Sequence, residues 1–84
     1  MAEQQIGKIS HYYNHLSVGI INLSAQLKVG DTIHIKGAHD DFTQPVESIQ
    51  LEHENVEEAG AGEAAGIKVA QKVHEGDKVF KVTP

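Results

Sequence analysis

Eighty-four residues make one domain, and a chain of this size buries only about 60 to 65% of the surface its unfolded form exposes, so its core must be small and aliphatic. The seven basic residues are all lysine and face 12 acidic ones, for a net charge of −5, which repels polyanions at long range and excludes a DNA-binding role built on arginine contacts. The absence of cysteine excludes a disulfide framework and thiolate zinc sites, and no segment approaches the ~20 apolar residues of a membrane span.

Met1-Ala2-Glu3-Gln4-Gln5 carries neither a basic region nor an apolar stretch, which sets the expectation of a cytoplasmic protein with no membrane partner. Period-two alternation then runs through most of the chain, and no window holds a helical period over three turns, so about six strands are predicted. The first runs near Gln5 to Tyr13 and the second near Leu16 to Leu23, with polar Asn14-His15 suited to a tight hairpin connection. Alternation in the second strand is read with Val18 and Ile20 inward, leaving Ile21 and Leu23 outward. Asp31 to Lys36 forms the third strand, with Ile33 and Ile35 on one face and Thr32, His34 and Lys36 on the other.

The loop Gly37-Ala38-His39-Asp40-Asp41 leads into a long fourth strand, Phe42 to His53. Its phase changes between Val46 and Ile49, which a β-bulge near Glu47-Ser48 would absorb, and Pro45 suits an edge or irregular position because it cannot donate a ladder bond. Residues 57 to 66 are small and Glu-rich and suit a connection across one barrel end; Glu52 to Ala65 also permits a short helix, against which Gly60 and Gly62 argue. Ile67 to Ala70 and Lys78 to Val82 complete the set. The core is expected to draw on Ile6, Ile9, Val18, Ile20, Leu27, Val29, Ile33, Ile35, Phe42, Val46, Ile49, Leu51, Ile67, Val69, Val73 and Phe80.

One phrase occurs twice. Leu27-Lys28-Val29-Gly30-Asp31-Thr32-Ile33-His34-Ile35 and Val73-His74-Glu75-Gly76-Asp77-Lys78-Val79-Phe80-Lys81-Val82 each place a glycine able to take positive φ before an aspartate able to accept from nearby backbone N–H groups, with a β-branched run after it. Both copies predict a tight turn opening a strand.

No catalytic, cofactor-binding or metal-ligating set is legible. Gly60-Ala61-Gly62 followed by Gly66 lacks the Lys-Ser/Thr of a P-loop and any helix opening behind it, so it is read as a structural turn. The histidines at 11, 15, 34, 39, 53 and 74 match no ligand spacing and are read as solvated, with His39-Asp40-Asp41 a loop site able to take an ion only adventitiously. Ser10, Ser17, Ser24 and Ser48 lack an elbow or triad context, and the adjacent pairs Asp40-Asp41 and Glu57-Glu58 are read as solvated loop carboxylates. Tyr12, Tyr13, Phe42 and Phe80 are too few for a base-stacking platform.

The order of Leu27-Lys28-Val29-Gly30-Asp31, Phe42 to Gln50, Ala61-Gly62-Glu63-Ala64-Ala65-Gly66-Ile67 and Glu75-Gly76-Asp77-Lys78-Val79 resembles domain two of translational GTPases of the elongation factor Tu type, over about Ile6 to Val82. The resemblance implies an all-β fold, a small six-stranded closed barrel of Greek-key type occupying residues 1–84 as a single domain. It also implies a docking role without catalysis, since no nucleotide-binding motif accompanies the barrel pattern. The leading expectation is therefore a cytoplasmic interaction module for a protein or ribonucleoprotein, the ribosome or tRNA among them, acting as a monomer or weak homo-oligomer. Outward Ile21 and Leu23 would form its partner patch. A second expectation is an RNA-binding accessory factor using Lys36, Lys68 and Lys72 gathered on one wall. A third is a barrel subunit working in trans with an RNA-modifying, peptidase-like enzyme.

Overall fold

The computed structural model describes residues 2–52 and 54–83. It is all β among the described residues, with strands β1 (Ala2–Tyr13), β2 (Val18–Leu23), β3 (Leu27–Lys28), β4 (Thr32–Lys36), β5 (Asp41–Pro45), β6 (Ile49–Leu51), β7 (Glu54–Val56), β8 (Glu58–Ala59), β9 (Ala64–Lys68) and β10 (Lys78–Thr83). Eight of these form one sheet in the order β5-β4-β10-β1-β2-β9-β6-β7, and β3 pairs with β8 alone.

The repeated phrase folds as its glycine and aspartate dictate. Asp31 N–H donates to Lys28 O (3.1 Å) and Asp77 N–H to His74 O (3.1 Å), closing four-residue turns in which Gly30 and Gly76 hold φ of 98° and 91°. Each aspartate then locks its own turn, because Lys28 N–H donates to Asp31 Oδ2 and His74 N–H to Asp77 Oδ2, both at 2.9 Å. A third turn repeats the plan with one methylene more: Glu63 N–H donates to Gly60 O, Gly60 N–H donates to Glu63 Oε1 at 2.7 Å, and Gly62 takes φ of 87°. The low-complexity stretch thus contains a built turn.

All three turns grip the rest of the molecule in the same way. Gly30 N–H donates to Val46 O while Val46 N–H donates to Asp31 O; Gly76 and Asp77 make the same pair with Ile9, and Gly62 and Glu63 make it with Leu23. Val46, Ile9 and Leu23 are buried, so each clasp fixes a turn directly onto the core. Because glycine supplies the positive φ at no steric cost, the turns are also where strand direction is reset.

The core is aliphatic: Ile6, Ile9, Ile21, Leu23, Leu27, Ile33, Ile35, Val46, Ile49, Ile67, Val69, Val73 and Val79 are buried, with Ala59 and Ala65 between them. Full burial of a side chain this size contributes roughly 1.5 to 3 kcal/mol. In β2 the phase is opposite to the one expected. Gly19, Ile21 and Leu23 point inward, while Val18 and Ile20 are half-buried and Asn22 is exposed. Ile21 and Leu23 therefore cannot form an exposed partner patch. The error has a physical origin: both faces of Val18-Gly19-Ile20-Ile21 are apolar or small, and only Asn22 tells them apart, since the expected phase would have turned this amide into the core. β10 is phased likewise, with Val79 fully buried and Phe80 on the outer face across from His34. Val29, expected inside, is exposed at the tip of its turn.

The long fourth strand is two strands. β5 pairs with β4 and ends at Pro45; the clasp on Val46 then turns the chain, and β6 begins at Ile49 against β9 and β7. The expected end at His53 lies outside the described residues. Bulges occur instead in β1, where the register shifts at Ile6 against β10 and at Ser10 against β2. These let one 12-residue strand serve two neighbours and keep both Ile6 and Ile9 buried.

The ladders do not close the sheet into a six-stranded barrel: no strand pairing among the described residues joins edge β5 to edge β7. A side chain bridges part of the opening. Gln44 of β5 is 8% exposed; its Nε2 donates to Lys68 O at 2.8 Å, and its Oε1 accepts from Ala70 N–H at 2.7 Å. One amide thus takes the place of a peptide group between β5 and the end of β9.

Candidate functional site

Three features on this scaffold concentrate chemistry or apolar surface. The first is a groove on the outer face of β2 and β9. Ile20 and Gln50 both pair with Gly66, and a side chain at Gly66 would meet Val18 at 3.4 Å and Ile20 at 3.5 Å. Glycine there leaves a floor without side chain, flanked by Val18, Ile20 and Gln50. At its mouth stand Tyr13 (47% exposed), at the end of β1, and Leu16 (65% exposed), on the β1–β2 connection, an aromatic and an aliphatic side chain held in water. This apolar stretch is the counterpart of the patch expected at Ile21 and Leu23, displaced by the one-residue change of phase to the opposite face of the same strand.

The second feature is His34 on the outer face of β4. Its Nδ1 lies 2.9 Å from Glu3 Oε2 of β1 and its Nε2 lies 2.5 Å from Asp41 Oδ1 of β5. Carboxylates accept, and only the protonated ring can donate from both nitrogens at once, so this arrangement favours the imidazolium. The hydrogen bond to Asp41, followed by that to Glu3, outweighs partial burial and raises the pKa of His34 above 6.5. The ring ties both flanking regions of the sheet to β4.

The third feature joins the 37–41 connection to the second Gly-Asp turn. Asp77 is 5% exposed; it accepts from His74 N–H and lies in hydrogen-bond contact with Asp40, whose other partner is His74 Nδ1 at 2.7 Å. Burial, then the bond to Asp40, pushes the Asp77 carboxyl up, while the bond from Asp77, then that from His74, holds Asp40 down. Asp40 was read as a solvated loop carboxylate; its side chain is 10% exposed. Its contact with His74 and Asp77 spans more than 30 residues of sequence, and only the strand pairing of β4, β5 and β10 brings it about.

The expected lysines are exposed but dispersed. Lys36 ends β4 opposite Lys78 and Asp41, Lys68 ends β9 opposite Val18, and Lys72 lies in the 70–77 connection. β10, β1 and β2 separate the strands of Lys36 and Lys68 in the sheet order. His11 lies 3.4 Å from Glu75 in an exposed pair, and His39 packs beside His74 with ring centroids 5.7 Å apart.

Comparison with known proteins sets this fold in a family context. No family model matches the sequence. The chain is 40% identical over 77 residues to an uncharacterized protease of Methanocaldococcus jannaschii, covering 90% of this chain and 19% of that protein. It is 35% identical over 78 residues to a collagenase of Porphyromonas gingivalis, covering 90% of this chain and 22% of the relative. The chain thus spans about a fifth of the length of these relatives. Among solved structures, the C-terminal domain of a Geobacillus thermoleovorans protein classed with the U32 peptidases superposes with a TM-score of 0.88 at 18% identity, covering 95% of this chain and 93% of that one. The selenomethionine variant of the same domain superposes with a TM-score of 0.86. The fold is that of this C-terminal domain.

These likenesses overturn the resemblance to domain two of elongation factor Tu-type GTPases. The matching sequences carry protease and collagenase names, and the matching fold is the terminal domain of a peptidase-class protein. The motifs that suggested a translation factor are turn and core positions. Gly-Asp turns clasped to buried strands solve a general problem of small β-domains, and their order does not distinguish one such family from another.

Proposed function

We propose that this chain is a non-catalytic accessory domain that docks on a U32-peptidase-type catalytic chain. One observation carries the reading: the chain matches nearly all of an isolated C-terminal domain, but only 19 to 22% of protease-named relatives. The matched portion is a whole folding unit, so the remaining four fifths of those relatives hold their other machinery.

The groove at Tyr13, Leu16, Val18 and Ile20 is the docking face in this proposal. Exposed aromatic and aliphatic side chains around a side-chain-free floor give an anchor and a pocket, the arrangement that concentrates binding energy at protein interfaces. The partner is a protein surface with an apolar protrusion rather than a nucleic acid, in keeping with the net charge of −5 and the dispersed lysines.

The test uses the M. jannaschii relative with its matching segment removed. Sedimentation of this protein with the present chain is expected to give a one-to-one complex that persists at moderate salt and is weakened by Leu16→Ser. Independent sedimentation of the two, or a complex indifferent to Leu16→Ser and dissolved by salt, would reject the proposal.

A further inference from the structure

Asp40, His74 and Asp77 each present one ligand-type atom within 4.8 Å of the others. Two observations separate this group from ordinary surface acids. Asp77 is 5% exposed and the Asp40 side chain 10% exposed, so two carboxyl groups touch where little water reaches them. Two ionised carboxylates this close repel each other, and a bound cation would relieve that repulsion.

The second observation is the sister turn. Asp31 occupies the same position in its turn as Asp77 does in its own, with the same bond from the first residue of the turn. The Asp31 carboxylate is faced by Lys81 Nζ at 3.4 Å. Where the first turn meets a fixed cation, the second meets another carboxylate and an imidazole nitrogen. No lysine answers Asp77 there as Lys81 answers Asp31.

We propose that Asp40, His74 and Asp77 form a binding site for a divalent metal ion of the zinc class. One imidazole nitrogen and two carboxylate oxygens make a three-residue donor set suited to such an ion, with the remaining coordination open to water or to His39, which stands beside His74. The site is already oriented. His74 N–H holds Asp77 Oδ2, leaving Oδ1 for the ion, and outer-shell bonds of this kind fix ligand geometry. Gly37 packs its backbone against the Asp77 carboxylate, and a Cβ at this position would collide with Asp77 Oδ1, so the absence of a side chain lets the aspartate hold its place in the turn. Carboxylate and imidazole ligands bind a metal in their unprotonated forms, so affinity falls as the solution is acidified.

The experiment is titration of chelator-stripped protein with Zn²⁺, read by calorimetry and thermal melting, with Co²⁺ absorption reporting coordination. One equivalent is expected to bind and to raise Tm. Asp40→Asn and His74→Ala should each weaken binding on the order of tenfold or more, since outer-shell losses alone reach that size. His15→Ala, distant in the β1–β2 connection, should leave binding unchanged. Imidazole nitrogen NMR of the unmutated protein provides a readout independent of variant folding, and the first resonance to move should be that of His74. Absence of binding, binding that survives both substitutions, or first shifts at His11 or His15 would each overturn the site and leave an adventitious ion only.

Discussion

Asp31 and Asp77 occupy equivalent places in two turns of the same geometry, yet one carboxylate faces Lys81 and the other faces Asp40. The backbone role is common to both: each accepts from the first N–H of its turn and carries the carbonyl that clasps a buried residue, Val46 in one case and Ile9 in the other. Their electrostatic surroundings are opposite, so substitutions at the two positions should diverge although the local structure is shared.

Asp31→Asn and Asp77→Asn both keep an oxygen for the turn. Asp31→Asn loses the attraction of a partly exposed Lys81 and should cost less than about 1 kcal/mol in chemical denaturation. Asp77→Asn relieves the repulsion between the Asp40 and Asp77 carboxylates and should leave stability at neutral pH unchanged or raised. A larger loss for Asp77→Asn than for Asp31→Asn would contradict this like-charge description.

Gly30→Ala and Gly76→Ala test the turns without steric complication, since nothing lies within 4 Å of the added carbon at either position. The whole cost is the positive φ, of order 1 to 2 kcal/mol each. Gly37→Ala is a different case: its methyl group would collide with the Asp77 carboxylate and displace it from its turn. Melting temperatures should fall moderately for the first two variants and further for the third.

His34 makes stability depend on pH. Its folded-state pKa is raised, chiefly by the hydrogen bond to Asp41, so its contribution is fully present below the unfolded value of about 6.5 and is lost as pH rises through the folded value. The Tm difference between the unmutated protein and His34→Gln should therefore be largest below about pH 6.5, by this linkage, and should shrink as the pH is raised beyond it. A difference that grows with pH would show that the ring is not held as an imidazolium.

Gln44→Ala would leave Lys68 O and Ala70 N–H without the amide that now pairs with both. A loss of about 1 to 3 kcal/mol is expected from such unpaired groups near the core, together with faster amide exchange at Ala70. Exchange at Ala70 as slow as in the unmutated protein would mean that another group closes the gap.

The parts of this fold legible in sequence are those governed by local chemistry. Gly30-Asp31 and Gly76-Asp77 announce their turns because few other residue pairs combine positive φ with a short acceptor, and Ile33 and Ile35 announce an inward face because Thr32, His34 and Lys36 alternate with them. The Gly60-Ala61-Gly62 turn was legible as well, but not that Glu63, with its longer acid, closes it as Asp31 and Asp77 close theirs. The phases of β2 and β10 were hidden because Ile20 beside Ile21, and Val79 beside Phe80, are apolar on both faces, which moved the exposed patch from Ile21 and Leu23 to Val18 and Ile20. The break after Pro45 follows from the clasp between Val46 and a turn 15 residues earlier, a tertiary bond that alternation cannot report. The same holds for Asp40 with His74, whose contact exists only once β4, β5 and β10 have paired.

The docking role is tested most directly by NMR titration of isotope-labelled chain with the M. jannaschii relative lacking its matching segment. The account predicts that resonances of Tyr13, Leu16, Val18 and Ile20 shift or broaden first and that those of Lys36 and Lys72 do not. Perturbation centred on the lysines, or none at concentrations well above those of a stable complex, would contradict it.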